Sequence, residues 1–142
     1  MNEFYNFHER LKAYILSTKL INTVTWGDIF DLDLNRKGDY ALAHIMYQNQ
    51  TITTSMNELQ IDIILADIVN ENLDNTLDVM NAMSVVGTMI AKSLDGGDLY
   101  DYNYRINASP TLEPFKERFE MNLAGWTLSM TIQLPNNITR CV

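Results

Sequence analysis

The sequence predicts an α+β domain with a mostly antiparallel β-sheet flanked by two α-helices. Three observations support this fold class. Apolar residues recur every three or four positions near the N-terminus and again in the middle of the chain, two long alternating segments are separated by a short turn, and another alternating segment lies near the C-terminus. The 142 residues, 46% hydrophobic and 20% charged, are typical of one folded domain over residues 1–142.

The two helices are predicted from the spacing of apolar side chains. The first helix should cover residues 3–18, where Phe4, Phe7 and Leu11 follow one another at intervals of three and four. The second should cover residues 75–94, where apolar residues extend well beyond a single helical face. Because a small domain can hardly cover such a helix alone, this pattern favours contact with a neighbouring chain.

Alternating residues predict the first strands of the sheet. A short β-branched run around Val24 indicates one strand, and residues 40–54 and 58–69 indicate an antiparallel hairpin with a short turn. In the second hairpin strand, Ile64 and Ala66 make the later half apolar on both faces. We expect that half to be covered on both sides.

The C-terminal third predicts two more strands. Residues 100–106 indicate a strand with an aromatic face, and the prolines of "ASPTLEPF" at 108–115 are expected to break the chain into a connection. The last strand should start near Phe119 and change phase at Ala124 and Gly125, where a β-bulge or sharp bend is expected.

The composition excludes several classes of function. A net charge of −8 with scattered basic residues does not suit a grip on nucleic acid phosphates. No apolar run approaches the ~20 residues that span a bilayer, and the N-terminus has no apolar stretch of the signal-peptide kind. The single cysteine, Cys141, favours a reducing compartment. We therefore expect a protein without a membrane segment and without disulfides.

The acidic segment after Val24 is the best candidate for a metal site, but it fails. Asp31, Asp33 and Asn35 match the first three ligand positions of a calcium loop. Arg36 stands where that loop needs glycine, and Leu42 stands where it needs a bidentate acid. A solvated acidic loop without metal is the better interpretation.

Catalytic patterns are equally weak. His8 and His44 lie on different predicted elements without a second ligand at metal spacing, and Ser84 and Ser129 lack the glycine-flanked turn of a nucleophilic serine. No glycine-rich loop joins a strand to a helix to hold a phosphate. We expect no enzymatic activity and no cofactor.

Five phrases together carry a resemblance: "INTVTWGDIFDLDL", "DYALAHI", "LQIDIILADI", "LDVMNAM" and "LAGWTLSMTIQLPN". In this order they resemble small virion proteins from the neck or tail of tailed bacteriophages, especially tail-terminator or tail-completion proteins and ring proteins of crAss-like phages. The likeness spans nearly the whole chain and rests on element order and short phrases, with no catalytic signature.

This resemblance implies a structural role in the virion. Members of such families fold as an α+β unit and form closed rings, often sixfold or twelvefold, stacked between the portal and the tail. The implied partners are copies of the chain itself and neighbouring portal, adaptor or tail ring proteins, with DNA passing through the channel without specific binding. An acidic wall that repels DNA suits such a channel. Assembly would take place in the bacterial host cytoplasm.

Two hypotheses follow, with different residues. As a ring-forming subunit, the chain would make subunit or core contacts through four apolar side chains: Met83, Val86, Ile90 and Trp126. It would use the loop 31–39 for contacts with the next ring or the lumen, through Asp31, Asp33 and Asp39.

The alternative is a monomeric α+β module or small enzyme. It would hold a small ligand between the second helix and the sheet. The side chains facing that ligand would be Tyr100, Tyr102, Tyr104 and His44.

Overall fold

The computed structural model describes residues 3–27, 41–53, 56–69, 75–95, 97, 104–106, 109–114 and 123–135. This part of the chain contains two α-helices, α1 (Glu3–Ser17) and α2 (Thr76–Ser93). It also contains six β-strands: β1 (Thr23–Trp26), β2 (Leu42–Ile52), β3 (Met56–Ile68), β4 (Arg105–Ile106), β5 (Thr111–Pro114) and β6 (Leu123–Pro135). The predicted α+β class, with a mostly antiparallel sheet and two helices, is confirmed.

The strands form one sheet with the order β1-β2-β3-β6, and β4 and β5 pair with different stretches of the outer edge of β6. β1 runs parallel to β2, and the other described pairs are antiparallel. β3 and β6 pair over the full length of both strands, from Met56 opposite Pro135 to Ile68 opposite Leu123. Both helices pack on the sheet that is centred on this long ladder.

Both helices lie on the same face of the sheet. Ile45, Ile63 and Leu128 stand side by side in the register and are buried on that face. α2 is tied to the sheet by the indole N–H of Trp126, which donates to the carbonyl of Met80 at 2.8 Å. α1 contacts α2 through the hydroxyl of Tyr14, which donates to a backbone carbonyl of α2 at 3.0 Å. The result is a two-layer arrangement with one core.

The opposite face of the sheet is buried only in part. Leu42, Ile64 and Ala66 point away from the helices and are nevertheless 2%, 4% and 1% exposed. The prediction that the later half of β3 is covered on both sides is therefore confirmed. Towards the β2–β3 turn the same face opens, and Gln60 is exposed.

The predicted bulge at Gly125 is wrong. β6 keeps one unbroken register with β3 through Ala124 and Gly125, and the irregularity of the sheet lies in β2, between Tyr47 and Asn49. Glycine is needed at 125 for another reason. A Cβ atom there would lie 1.8 Å from the carbonyl oxygen of Leu65, so only glycine permits the close approach of the two backbones.

The predicted connection at 108–115 is also wrong in part, because Thr111–Pro114 forms the strand β5. β5 has β6 as its partner on one side, and proline is tolerated on such an outer strand because its missing N–H is not needed on the open side. The predicted start of the last strand near Phe119 lies outside the described residues.

Candidate functional site

The apolar side chains of α2 predicted to make subunit or core contacts lie in the core. Met83, Val86 and Ile90 are 1%, 0% and 0% exposed, because they pack against the sheet of their own chain. Trp126 is half-buried and packs on the same core. These side chains fill the interior of the chain, so a surface for assembly has to be sought elsewhere.

The second predicted contact region was the acidic loop with Asp31, Asp33 and Asp39. It lies outside the described residues, so its contact with another ring or with a channel remains a prediction.

Some large apolar side chains stay exposed although the core is closed. Trp26 at the end of β1 is 62% exposed and Phe4 on α1 is 43% exposed. On α2, Leu77 and Val85 are 80% and 42% exposed, two helical turns apart. We call the first pair the aromatic patch and the second pair, two separate side chains about 12 Å apart along the helix axis, the α2 patch.

The aromatic patch rests on a cluster of rings where α1 crosses β1 and β2. The ring centroids of Phe4 and Tyr47 are 4.7 Å apart, and Trp26 lies 5.6 Å from His8 and 6.4 Å from Tyr47. Ring pairs at such separations attract one another beyond their area burial. The cluster therefore holds Trp26 in place while leaving most of its surface in contact with solvent.

Polar atoms inside this cluster are paired. Nδ1 of His8 lies 2.5 Å from the hydroxyl of Tyr47. Burial lowers the pKa of His8, although the nearby carboxylate of Glu9 opposes this and Lys12 adds to it. Burial, together with the same carboxylate, raises the pKa of Tyr47 well above its ordinary value. At neutral pH the arrangement thus favours a neutral imidazole hydrogen-bonded to a neutral phenol.

The second half of β2 is an open edge of the sheet. β1 covers only Leu42 to Ile45, and in the described part of the chain no strand pairs with the outer side of β2 beyond that point. Residues 48–53 are exposed, with Ile52 at 72%. The segment "QNQTIT" contains no charge and no proline, which are the usual devices that protect an edge strand from pairing.

A groove of about 650 Å³ lies between α2 and the β4–β5 side of the sheet. Leu112 and Leu128 contribute to its apolar part, and Thr88, Lys92 and Asp95 contribute polar groups. A groove in this place fits the general position of the alternative hypothesis. Its described lining, however, differs from the residues that hypothesis named.

The residues named for ligand binding lie elsewhere. His44 is fully buried on the face of the sheet opposite the helices, with Nδ1 2.7 Å from Oγ1 of Thr25. Tyr104 is fully buried against α1, where Nη1 of Arg10 donates to its hydroxyl at 2.7 Å. Tyr100 and Tyr102 lie outside the described residues.

The exposed residues of the aromatic patch and the open edge were not predicted as functional. Phe4 is part of the apolar stripe that predicts α1, and Trp26 is the last residue of a short strand, so periodicity alone does not indicate exposure. The uncharged run at 48–53 was readable from the sequence, but its place on the edge depends on the strand order of the sheet.

Within the described ranges, no group of three or more His, Cys, Asp or Glu side chains is placed to hold a metal ion. Neither described helix is long and apolar enough to cross a membrane. The chain matches no protein-family model and no curated protein sequence. The features that bear on function are therefore the exposed patches, the open edge and the groove.

Proposed function

We propose that this chain is a structural virion protein that forms a homo-oligomeric ring in the neck or tail of a tailed bacteriophage. The ring joins the portal or adaptor to the tail and leaves a channel through which DNA passes. The virion, with assembly in the bacterial host cytoplasm, is the proposed location. The likeness of the sequence to tail-terminator and neck ring proteins supports this assignment.

The observation that carries the proposal is apolar surface left exposed on two different elements, the aromatic patch on α1 and β1 and the α2 patch. A ring is built from head-to-tail contacts, in which one surface of each subunit meets a different surface of the next. A subunit with two unlike apolar patches meets this requirement. The net charge of −8 suits a channel that DNA passes without sticking.

Native mass spectrometry of the purified chain over a range of concentrations, with negative-stain electron microscopy, tests the proposal. Closed rings are expected, and Trp26→Ser or Leu77→Ser should shift them towards monomers. Tyr5→Ser is the matched control, because Tyr5 is as exposed as Trp26, at 62%. A chain that stays monomeric at all concentrations, or rings indifferent to both patch variants, would count against the proposal.

The groove beside α2 favours a second candidate, a small-ligand-binding module. The groove combines an apolar floor with Lys92 and Asp95, and pockets of this size hold small molecules. Thermal-shift screening of the chain against a metabolite library, repeated with Ala91→Leu to fill the groove from its α2 side, separates the two candidates. Stabilisation of the wild type that the filled variant loses would favour ligand binding.

A further inference from the structure

The hydrogen-bonding pattern of β2 shifts by one residue at the irregularity near Gln48, so that different residues point their backbone groups outward before and after it. Before it, the carbonyl of Ile45 points outward and accepts from Gly27 N at 3.0 Å. After it, Thr53 N donates inward to the carbonyl of Met56 on β3 at 2.9 Å. Because backbone groups alternate along an antiparallel strand, Thr51 also points towards β3, whereas Gln50 and Ile52 present their N–H and C=O groups outward.

We propose that this open edge, Asn49 to Thr53, pairs with the same edge of a second copy of the chain across a two-fold axis. Outward groups must face outward groups in an antiparallel pair, so Gln50 of one copy lies opposite Ile52 of the other. This register uses both outward residues of each copy and makes about four backbone hydrogen bonds. It places Thr51 opposite Thr51 of the second copy.

The local charge permits a second copy at this edge, although like charges oppose one elsewhere on the surface. The chain carries a net charge of −8, so two copies repel each other over most of their surfaces. The open edge is uncharged, and among the described residues the acid nearest the proposed contact is Glu58, which pairs with Thr51 inside each copy. The two Glu58 residues would stand about three strand spacings, or ~14 Å, apart, which exceeds the screening length at physiological salt.

The side chains of the edge also fit this pairing. The two Thr51 side chains form a cross-strand threonine pair, a favourable combination. Ile52, 72% exposed in the single chain, lies diagonal to Ile52 of the second copy on the face that carries the helices. The contact therefore covers an apolar side chain that the isolated chain leaves in water.

This two-fold contact differs from the head-to-tail contacts of the proposed ring. The two ideas stand or fall separately, because one joins identical edges and the other joins the aromatic patch to the α2 patch.

Site-directed crosslinking tests the pairing on the full chain with its only cysteine removed by Cys141→Ser. Thr51→Cys places two cysteines directly opposite each other, about 4.5 Å apart at Cα, within the range that a disulfide bridges. Gln50→Cys is the matched control, since Gln50 is also exposed but faces Ile52 of the other copy. With dissolved oxygen as the oxidant, Thr51→Cys should form disulfide dimers at least about tenfold faster than Gln50→Cys, because paired cysteines have a high effective concentration.

A second variant makes the result specific for backbone pairing. Adding Gln50→Pro removes an outward N–H that pairs with none of the described strands, so circular dichroism should remain that of the parent while the crosslinking rate of Thr51→Cys falls to that of the control. Equal rates for Thr51→Cys and Gln50→Cys, or a rate unaffected by Gln50→Pro, would overturn the pairing while leaving the ring proposal intact. Rings that lose subunits in the patch variants but keep the Thr51→Cys preference would separate the two contacts.

Discussion

The two halves of the β2–β3 hairpin share one antiparallel ladder but differ in what covers them. In the half far from the turn, which we call the base, Leu42 and Ile64 are buried on one face and Ile45 and Ile63 on the other. In the half next to the turn, the tip, residues 49–53 of β2 are exposed. The ladder hydrogen bonds continue through both halves.

This difference separates stability from surface function within one element. Each backbone hydrogen bond replaces hydrogen bonds to water and therefore contributes only about 1 kcal/mol to the free energy of unfolding. Burial of a large apolar side chain contributes about 1.5–3 kcal/mol. The base therefore supplies most of the stability of the hairpin. In the tip, Leu59 of β3 is buried in the core, but residues 49–53 of β2 contribute little to it and are free to keep the sequence that a contact with another chain requires.

The largest effect is expected where β6 crosses the base. Gly125→Ala places a Cβ atom 1.8 Å from the carbonyl oxygen of Leu65, so β3 and β6 must separate. We expect a loss above about 4 kcal/mol in the free energy of unfolding, measured by urea denaturation, or no folded protein.

Gly87→Ala is the control for this substitution. Its added Cβ atom meets the end of a flexible side chain, Cδ2 of Leu112, at 2.8 Å, and alanine favours the helix. We expect a change within about 1 kcal/mol. Similar losses at the two glycines would contradict the special role of the backbone contact at Gly125.

Two adjacent valines on α2 test how much the packing of this helix on the sheet contributes to stability. Val86 is fully buried over the sheet and Val85 is 42% exposed. Val86→Asp buries a carboxylate without a partner and should destabilise the chain by about 3–4 kcal/mol, whereas Val85→Asp should stay within about 0.5 kcal/mol. A Val86→Asp chain that is stable but no longer assembles would instead place Val86 at an interface between subunits.

The hairpin itself offers a direct comparison between isoleucines. Ile63 in the base is fully buried and Ile52 in the tip is 72% exposed. Ile63→Ala should reduce the free energy of unfolding by about 2–4 kcal/mol, and Ile52→Ala by less than about 0.5 kcal/mol at concentrations where the chain is monomeric. Equal losses would mean that the tip belongs to the core.

Much of this architecture could be predicted, because a buried face of a helix or strand requires apolar residues at regular intervals in the sequence. The helices predicted over 3–18 and 75–94 appear as Glu3–Ser17 and Thr76–Ser93, and the hairpin lies where alternation placed it. The doubly apolar half of β3 indicated the buried base before any pairing was known. In each case one sequence pattern reports one local environment.

The remaining features depend on contacts between distant segments. The parallel pairing of β1 with β2 and the addition of β5 to β6 have no local signal, and the prolines at 110 and 114 argued against a strand. Gly125 carried a signal, but a bulge and a close backbone approach both call for glycine. The width of the apolar surface on α2 could not tell whether the sheet or another chain covers it.

The candidate site was predicted less well than the fold, for a related reason. Met83 and Val86 were predicted to make contacts because they are apolar. Apolar residues at helical spacing, however, indicate the core more often than an interface. Trp26 and Gln50 matter because of where the sheet ends, and that depends on strand order. Whether the acidic loop at 31–39 makes contacts remains a prediction.

The smallest effect is expected at the junction of base and tip, where His8 of α1 meets Tyr47 of β2. Burial lowers the pKa of His8 in the folded chain below its ordinary value of 6.5, so the unfolded chain binds the proton more readily. The contribution of His8 is complete above about pH 6.5 and is lost as the pH falls through that value towards the folded pKa. Stability should therefore decrease on acidification.

His8→Gln isolates this contribution, because glutamine offers Tyr47 an acceptor but does not titrate in this range. Urea midpoints of both chains at pH 7.5 and 5.5 provide the measurement, and the carboxylates common to both chains cancel in the difference. The advantage of wild type over His8→Gln should be smaller at pH 5.5. An advantage that grew on acidification would mean that the cluster favours imidazolium, and α1 would then be held at the junction by charge instead of by the phenol hydrogen bond.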